Sequence, residues 1–424
     1  MVILYLIKDF IKYFNKVLTK SARIIEYSEK EGWMVIQRTN NSEVKRLNRN
    51  RVFRYINSKN RTSMPDIAAA LDMSGPTVLQ IVKELREAHV ICEAGEFEST
   101  GGRKAKALAA VRDARYAVGI EITRNHIGMV LTDMTETVLK HIRMRKAFTY
   151  GDEYFKQLGA ALEEFLGEDK AVRDKIAGVG ISVPSIVDST ENHITYSRAL
   201  DLYDIDGEVF SRHIPYPCLL INDANAAAAT ECIADRQLES MIYLSLSNTV
   251  GGAVVFRQET GQEEPGSPLG SVFENMYIGK HWHSGEFGHM VIHPGGRTCY
   301  CGKKGCVDAY CSALCLAEYA DGYLERFFDK MEDGDTELVK VWEAYLDDLA
   351  ITVDNLRMCF DCDIVLGGYV GSCIGPYIKD LQKRVAEKNI FEGGGAYVRA
   401  CRYQKAASAL GAAVYYIENF INSI

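Results

Sequence analysis

The sequence predicts an α/β protein in three parts: a small winged helix-turn-helix head, a two-lobed α/β body, and a metal-binding loop in the second lobe. Three observations carry this. Two short amphipathic helices near the N-terminus each open on a Ser followed by a Pro. From residue 116 onward, apolar strand-like runs alternate with helical text in two rounds. One histidine and three cysteines at metal-ligand spacing, His289, Cys299, Cys301 and Cys306, fall in one short stretch.

At roughly 100–200 residues per domain, the 424 residues hold two to four domains. A content of 47% hydrophobic and 25% charged residues excludes a disordered or low-complexity chain. No run of about 20 apolar residues occurs, so no membrane span or membrane partner is expected. Twelve Cys are too sparse for a disulfide scaffold. Their clustering points to metal or free thiols in a reducing, cytoplasmic compartment. Charge is uneven: residues 34–112 hold 14 Lys/Arg against 8 Asp/Glu, while the whole chain carries −8. A basic module on an acidic body fits a nucleic-acid-binding head joined to a part with another task.

Residues 1–40 are read as an N-terminal extension. Lys8, Lys12, Lys16 and Lys20 would line one face of a helix. No uninterrupted apolar stretch with a small-residue cleavage site marks a signal peptide. The expectation is that translation starts at Met34, because Lys30-Glu31-Gly32 can be encoded by a purine-rich ribosome-binding sequence.

Residues 41–112 are read as the head. Val44–Ile56 places Leu47, Val52 and Ile56 near helical spacing. Ser63 is the N-cap expected for the next helix, with Pro65 in its first turn, where a missing N–H costs nothing. After the short turn at Asp72-Met73, Ser74 caps a second helix with Val78, Ile81, Val82 and Leu85 facing inward. Two helices joined by so short a turn match the bihelical DNA-binding unit. Ser74, Gly75, Thr77 and Gln80, with Lys83 further along, are the candidates for base or phosphate contact. Val90–Cys92 and Ala105–Leu108 read as strands of a wing, and Arg103 and Lys104 in its loop are candidates for the minor groove. The plain alternative is a helix pair used only for packing.

The body is read as lobe 1 over 113–235 and lobe 2 over 236–405, with a helix at 406–420 packing back on lobe 1. Strand-like runs fall at Tyr116–Leu131, at IAGVGISV, CLLIND, IYLSLS and GGAVVF, and at DIVLGG. Helical text covers Tyr154–Leu166 and Ala406–Phe420. Two rounds of the pattern predict two related lobes with a cleft between them.

Three segments make the body more specific. They are Asn222-Asp223-Ala224-Asn225-Ala226-Ala227-Ala228, Gly285-Glu286-Phe287-Gly288-His289 and Cys299-x-Cys301-Gly302-x-x-Gly305-Cys306. Together they resemble the ROK family of sugar-responsive repressors, uncharacterised reading frames and sugar kinases, built on the actin/hexokinase-type ATPase fold. Ser74-Gly-Pro-Thr-Val and Ser99-Thr-Gly-Gly-Arg103 resemble its repressor branch, the N-acetylglucosamine/xylose-type regulators.

His289, Cys299, Cys301 and Cys306 offer three thiolates and one imidazole, a closed tetrahedral set suited to structural Zn²⁺. The resemblance implies zinc at these same four residues; the plain alternative is a loop of reduced cysteines. The resemblance also implies that Asn222, Asp223, Glu286, His289 and Asp308 ring one sugar. In the family's kinases the Asp223 position is the general base. The family usually has Glu where this chain has Asp308, one carbon shorter.

The family's kinases wrap nucleotide phosphates with glycine-rich loops, since only glycine lets backbone N–H groups approach so closely. The first loop, G-x-D-x-G-G-T, reads Gly119-Ile120-Glu121-Ile122-Thr123-Arg124-Asn125 here, with the acid changed and both later glycines lost. The second, Ser247-Asn248-Thr249-Val250-Gly251-Gly252-Ala253, keeps two glycines, and Tyr369 replaces the third glycine after Gly367-Gly368. No catalysis is therefore expected. The expectation is a homodimeric or higher-order regulator, by resemblance a repressor. It binds operator DNA and senses a sugar or phosphosugar in the cleft. The alternatives are an ATP-dependent sugar kinase with an appended head and Asp223 as base, and a DNA-binding protein whose body only assembles copies.

Overall fold

The computed structural model describes residues 23–28, 33–38, 41–97, 105–235, 238, 240–256, 272–391, 393–404 and 406–424. The expected stripe at Lys8–Lys20 and the expected wing residues Arg103 and Lys104 lie outside the described residues. The chain divides into two compact units. One runs to Ala109 and includes Ile421–Ile424; the other is Ala110–Phe420.

In the first unit, β1 (Arg23–Ser28) pairs antiparallel with β2 (Trp33–Arg38), and Met34 lies within β2. Three helices follow: α1 (Asn41–Ser58), α2 (Met64–Ala70) and α3 (Gly75–Glu87). Ser63 caps α2 in a reciprocal box. Its Oγ accepts from the Asp66 N–H, and the Asp66 carboxylate accepts from the Ser63 N–H at 3.3 Å. The turn between α2 and α3 closes because Asp72 adopts a left-handed backbone, φ +49°, which Asp tolerates better than most residues. Ser74 Oγ then accepts from the Thr77 N–H at 3.3 Å and starts α3. Val52, Phe53, Ile56, Ile67, Val78, Ile81, Val82 and Leu85 form the shared core. Leu47 departs from expectation and is 49% exposed. At 100° per residue it sits about 140° around α1 from Val52, off the buried face. β3 (Ile91–Glu96) and β4 (Lys106–Ala110) pair as the wing. Arg61 ties the turn before α2 to this wing by donating to the Glu96 carbonyl at 3.2 Å. Asn422 belongs to this unit as well: Arg46 donates to its carbonyl at 3.0 Å and Arg54 to its side-chain oxygen at 3.1 Å.

The second unit holds two five-stranded sheets with one topology. The first contains β5 (Tyr116–Ile122), β6 (His126–Asp133), β7 (Val138–Arg145) and β8 (Ile176–Val183). A small sheet of β9 (Ile186–Asp188), β10 (His193–Ser197) and β11 (Leu202–Asp206) interrupts it before β12 (Cys218–Asn222). The second contains β13 (Ser240–Leu246), β14 (Val250–Phe256), β15 (Met276–Tyr277), β16 (Asp363–Gly367) and β17 (Val398–Ala400). The strand orders are β7-β6-β5-β8-β12 and β15-β14-β13-β16-β17. Each is an antiparallel meander of three strands extended by two parallel ones, so the second sheet repeats the first strand for strand.

The major helices of this unit are α4 (Asp152–Leu166), α5 (Asp223–Ala234), α6 (Thr336–Phe360) and, up to Phe420, α7 (Ala407–Ser423). Leu158, Leu162 and Phe165 of α4 bury against Ile120, Met129 and Ile181 of the first sheet. Trp342, Leu346, Leu349 and Val353 of α6 bury against Ile242, Leu244 and Ile364 of the second. α7 lies flush on the first sheet, because a Cβ at Gly119 or Gly180 would overlap the carbonyls of Ala409 and Ala412. It also lies against α5, where Gly411 meets the Ala226 carbonyl.

Candidate functional site

β12 ends on Asn222 and α5 begins on Asp223, so both side chains stand at the carboxyl end of a parallel strand, where α/β sheets place their ligands. Asn222 already has structural work. Its Oδ1 accepts from the Asn225 N–H at 3.0 Å, capping α5, and its Nδ2 donates to the Ser185 carbonyl at 3.0 Å. Asp223 accepts from the Ala224 N–H at 2.9 Å. Burial pushes its carboxyl up to about 7, against that hydrogen bond and with help from the charges of Glu121 and Glu286.

Across the cleft, Gly285 has φ +84°, and a Cβ there would overlap the Gly252 carbonyl. That close approach brings Glu286 and the short helical turn Phe287–His289 up to the β13–β14 turn. His289 faces two ways. Its Nδ1 lies 3.9 Å from Cys299 Sγ. Its Nε2 lies 3.3 Å from the Tyr300 hydroxyl and 3.9 Å from Glu286 Oε2.

His289, Cys299, Cys301 and Cys306 bring one ligand atom each to within 4.8 Å of one another and could hold a metal ion. Cys301 and Cys306 are 3.8 Å apart at sulfur. Thiolates around one tetrahedral Zn²⁺ at about 2.3 Å each are about 3.8 Å apart, so the donor set fits that ion. Short bridges Val291↔Cys306 and Thr298↔Lys304 form the loop, which turns at Gly302 (φ +88°) and Gly305 (φ +84°). Burial raises the Cys299 and Cys306 thiols, and a bound cation is what would let all three sulfurs ionise together. Of the other histidines, His281 and His283 are exposed, while His293 contacts Asp348 at 2.6 Å.

One pocket of about 100 Å³ gathers most of the expected sugar residues: Asn222, Asp223, Glu286 and His289 line it together. Asp308 does not line it. Its carboxylate is buried and accepts from the Val250 N–H at 2.7 Å. Through that bond Asp308 anchors the β13–β14 turn. Sequence reasoning missed Ser185, Tyr196, Arg198, Trp282 and Tyr300, which also line it. Tyr300 had a signal, since it stands between two cysteines of the cluster that could hold a metal. The others had none, because the 184–206 segment and the 278–284 loop carry no motif.

On the other side of the cleft, Glu121 accepts from Ser408 Oγ at 2.6 Å. Arg124 donates to the Ala199 carbonyl at 3.2 Å. Gly368 packs on Ser247 of the facing loop. Tyr369 extends from the second lobe to Arg143 on β7 of the first, with hydroxyl and guanidinium at 3.4 Å and the guanidinium 5.6 Å from the ring centre.

In the head, Ser74, Gly75, Thr77, Gln80 and Lys83 all lie exposed on α3. Gln80 donates to Glu84 at 2.8 Å and Lys83 pairs with Glu87 at 3.9 Å. Leu79, missed by sequence reasoning, is 58% exposed beside Gln80. A large apolar side chain there suits a thymine methyl group. Its signal was its place off the Val78–Ile81–Val82–Leu85 stripe.

The ROK family profile matches residues 117–419. The chain belongs to the ROK family. A winged helix-turn-helix DNA-binding profile matches residues 46–91 ahead of the ROK region. The xylose repressor of Bacillus subtilis (strain 168) is 26% identical over 277 residues, covering 64% of this chain and 67% of that protein. An N-acetylmannosamine kinase of Yersinia pestis (strain Pestoides F) is 26% identical over 208 residues, covering 47% of this chain and 64% of that one. A solved ROK family transcriptional regulator, a homologue of Escherichia coli Mlc, superposes with a TM-score of 0.68 at 19% identity. That match covers 89% of this chain and 97% of the other, and it establishes a shared fold. The ROK relatives thus include both repressors and kinases. No helix among the described residues is long and apolar enough to cross a membrane.

Proposed function

We propose that this ROK protein is a sugar-responsive transcriptional repressor. Its head binds operator DNA as part of a homodimer, and its pocket senses a sugar. The carrying observation is the coexistence in one chain of a winged helix-turn-helix, with α3 exposing Ser74, Gly75, Thr77, Leu79 and Gln80, and a cleft lined by Asn222, Asp223, Glu286 and His289.

The carboxylates of Asp223 and Glu286 accept hydrogen bonds from sugar hydroxyls. Asn222 keeps one amide hydrogen free of its two structural bonds. With Nδ1 turned to the sulfurs, His289 presents Nε2–H to the pocket, and Tyr300 steadies that edge. His289, Cys299, Cys301 and Cys306 would hold Zn²⁺, which would offset two of the three thiolate charges and stiffen the loop. Asp308 holds the Val250 turn in place. Sugar in the pocket favours the closed arrangement of the lobes, and operator affinity follows that population shift.

In favour of a kinase reading stand the kinase relative and the place of Asp223 at a strand end, where burial pushes its carboxyl up to about 7. Against it stands Tyr369, whose ring spans to Arg143 on the nucleotide side of the cleft, with Glu121 tied to Ser408. A thermal-shift panel of free and phosphorylated sugars, each with and without Mg-ATP, separates the two. A midpoint raised by one sugar alone, with operator affinity changed by that sugar, is the expected result. A shift that requires nucleotide brings the kinase reading forward. Operator affinity unmoved by every sugar rejects the sensor.

A further inference from the structure

Trp282 is a bulky residue in a backbone conformation that bulky residues avoid. Its φ is +62°, between Gly279 at +72° and Gly285 at +84°. For a side chain of this size the left-handed region is a genuine outlier, kept where the surroundings over-determine it and concentrated at ligand clamps. The conformation has a visible result. In the run His281-Trp282-His283 both imidazoles are exposed, while the indole is half-buried and lines the cleft pocket. The chain spends strain to bring its one apolar ring of the three into the pocket that holds Asp223 and Glu286.

The rest of the lining says what that ring meets. The polar partners for hydroxyls are Asp223, Glu286 and His289, and Tyr300 and Tyr196 add two more aromatic rings. Among the lining residues, Arg198 is the single Lys or Arg, and its guanidinium lies 5.8 Å from the Tyr300 ring centre. A phosphate in this pocket would face two carboxylates. A neutral pyranose offers hydroxyls at its rim to the carboxylates and a face of C–H groups to an aromatic ring.

We propose that Trp282 is the stacking platform of this pocket and selects a neutral pyranose as effector. The proposal rests on the sugar-sensor reading above and names the ligand chemistry of the same site. The indole covers the apolar face of the sugar ring while Asp223, Glu286 and His289 take its hydroxyls. Trp282 is thus a specificity residue with a strained free state.

The strain supplies a test that a merely structural tryptophan fails. Trp282→Gly removes the ring and suits the left-handed backbone. The full chain, loaded with zinc, is titrated with D-xylose, D-glucose, N-acetylglucosamine and D-glucose 6-phosphate. Binding is read by thermal midpoint and by tryptophan fluorescence. Of the three tryptophans, Trp342 is buried in the second-lobe core, and the part of a ligand-induced change that disappears in Trp282→Phe reports on Trp282. The expected result is fluorescence change and a raised midpoint with a neutral sugar and none with the phosphate. In Trp282→Gly the sugar-free midpoint is unchanged or raised, and the dissociation constant rises about tenfold, the scale of one aromatic stacking contact. Trp282→Phe keeps most of the affinity. Sugar binding undiminished in Trp282→Gly overturns the platform while leaving the sensor standing. A lowered sugar-free midpoint in Trp282→Gly assigns the residue to packing and also overturns it. Preference for the phosphate overturns the neutral-ligand assignment. No response of the wild type to any sugar removes the sensor reading and this one together.

Discussion

Replacing Asp223 by Asn should make the sugar-free protein more stable at alkaline pH while destroying its response to sugar. Asp223 is half-buried at the start of α5, and burial, with Glu121 and Glu286 nearby, raises its carboxyl from 3.8 to about 7. A raised carboxylate pKa means that the folded state binds more protons than the unfolded state between those two values. Stability is therefore lost as pH rises from about 4 to about 7, and above that the full cost is present. At 1.36 kcal/mol per unit, a rise of about three units sets a ceiling of about 4 kcal/mol. Pocket water reaches the group, so about half of that, ~2 kcal/mol, is the working figure. The anion also gains about 0.5 kcal/mol from the N-terminus of α5, which Asn forgoes. Asn keeps the acceptor for the Ala224 N–H, so no other bond is lost. The net gain is about 1.5 kcal/mol at pH 8 and near zero at pH 4. For a body of this size that is about 3 °C in midpoint. The assay is thermal unfolding of wild type and Asp223→Asn, sugar-free, from pH 4 to pH 8. A gain that is absent at pH 8, or equal at both ends, refutes the reasoning. The sugar-dependent midpoint shift should vanish in the variant at every pH.

Cys306→Ser, or treatment with a strong chelator, should remove one zinc per chain by metal analysis and lower sugar affinity at least tenfold, because His289 is shared between the metal loop and the pocket. Unchanged sugar affinity in the metal-free protein would separate the two sites. Gly119→Ala should destabilise the body by about 1–3 kcal/mol, since the new methyl group meets the α7 backbone at Ala409 in a packed interface. Chemical denaturation checks this, and a neutral effect would mean that α7 can back away from the sheet. Gln80→Ala should cost about 1–3 kcal/mol of operator binding and relax preference at one base position, with the salt dependence unchanged. Equal loss on unrelated DNA would make Gln80 a general contact.

The elements that were legible in the sequence carry local signals. Ser63, Pro65, Ser74 and Pro76 mark helix starts by chemistry that acts within one turn, and both caps form as expected. Buried parallel strands such as Ile176–Val183 announce themselves by unbroken apolar runs. β7 is an edge strand with most of its side chains exposed, so Val138–Arg145 reads as polar text and was missed. The β9–β11 sheet was missed because its strands are short, only three to five residues long. α6 had no expectation attached, although it is the longest helix among the described residues. At the site, the Cys/His spacing and the residues at the β12–α5 junction were visible because each lies within one short segment.

By itself, the sequence determined the parts: a capped helix pair, two rounds of β/α text, a four-ligand loop and the acids around it. Each of these depends on neighbours a few residues away, where chain connectivity already holds the partners together. The tertiary structure decided how segments far apart in the chain share one space. It brought Ser185, Tyr196 and Trp282 to the pocket, bonded Asp308 to the Val250 N–H, and set Tyr369 against Arg143, residues 226 positions apart. Such contacts follow from the way two twisted sheets and α7 pack. That packing depends on the summed shapes of many side chains, and no short stretch of sequence contains it.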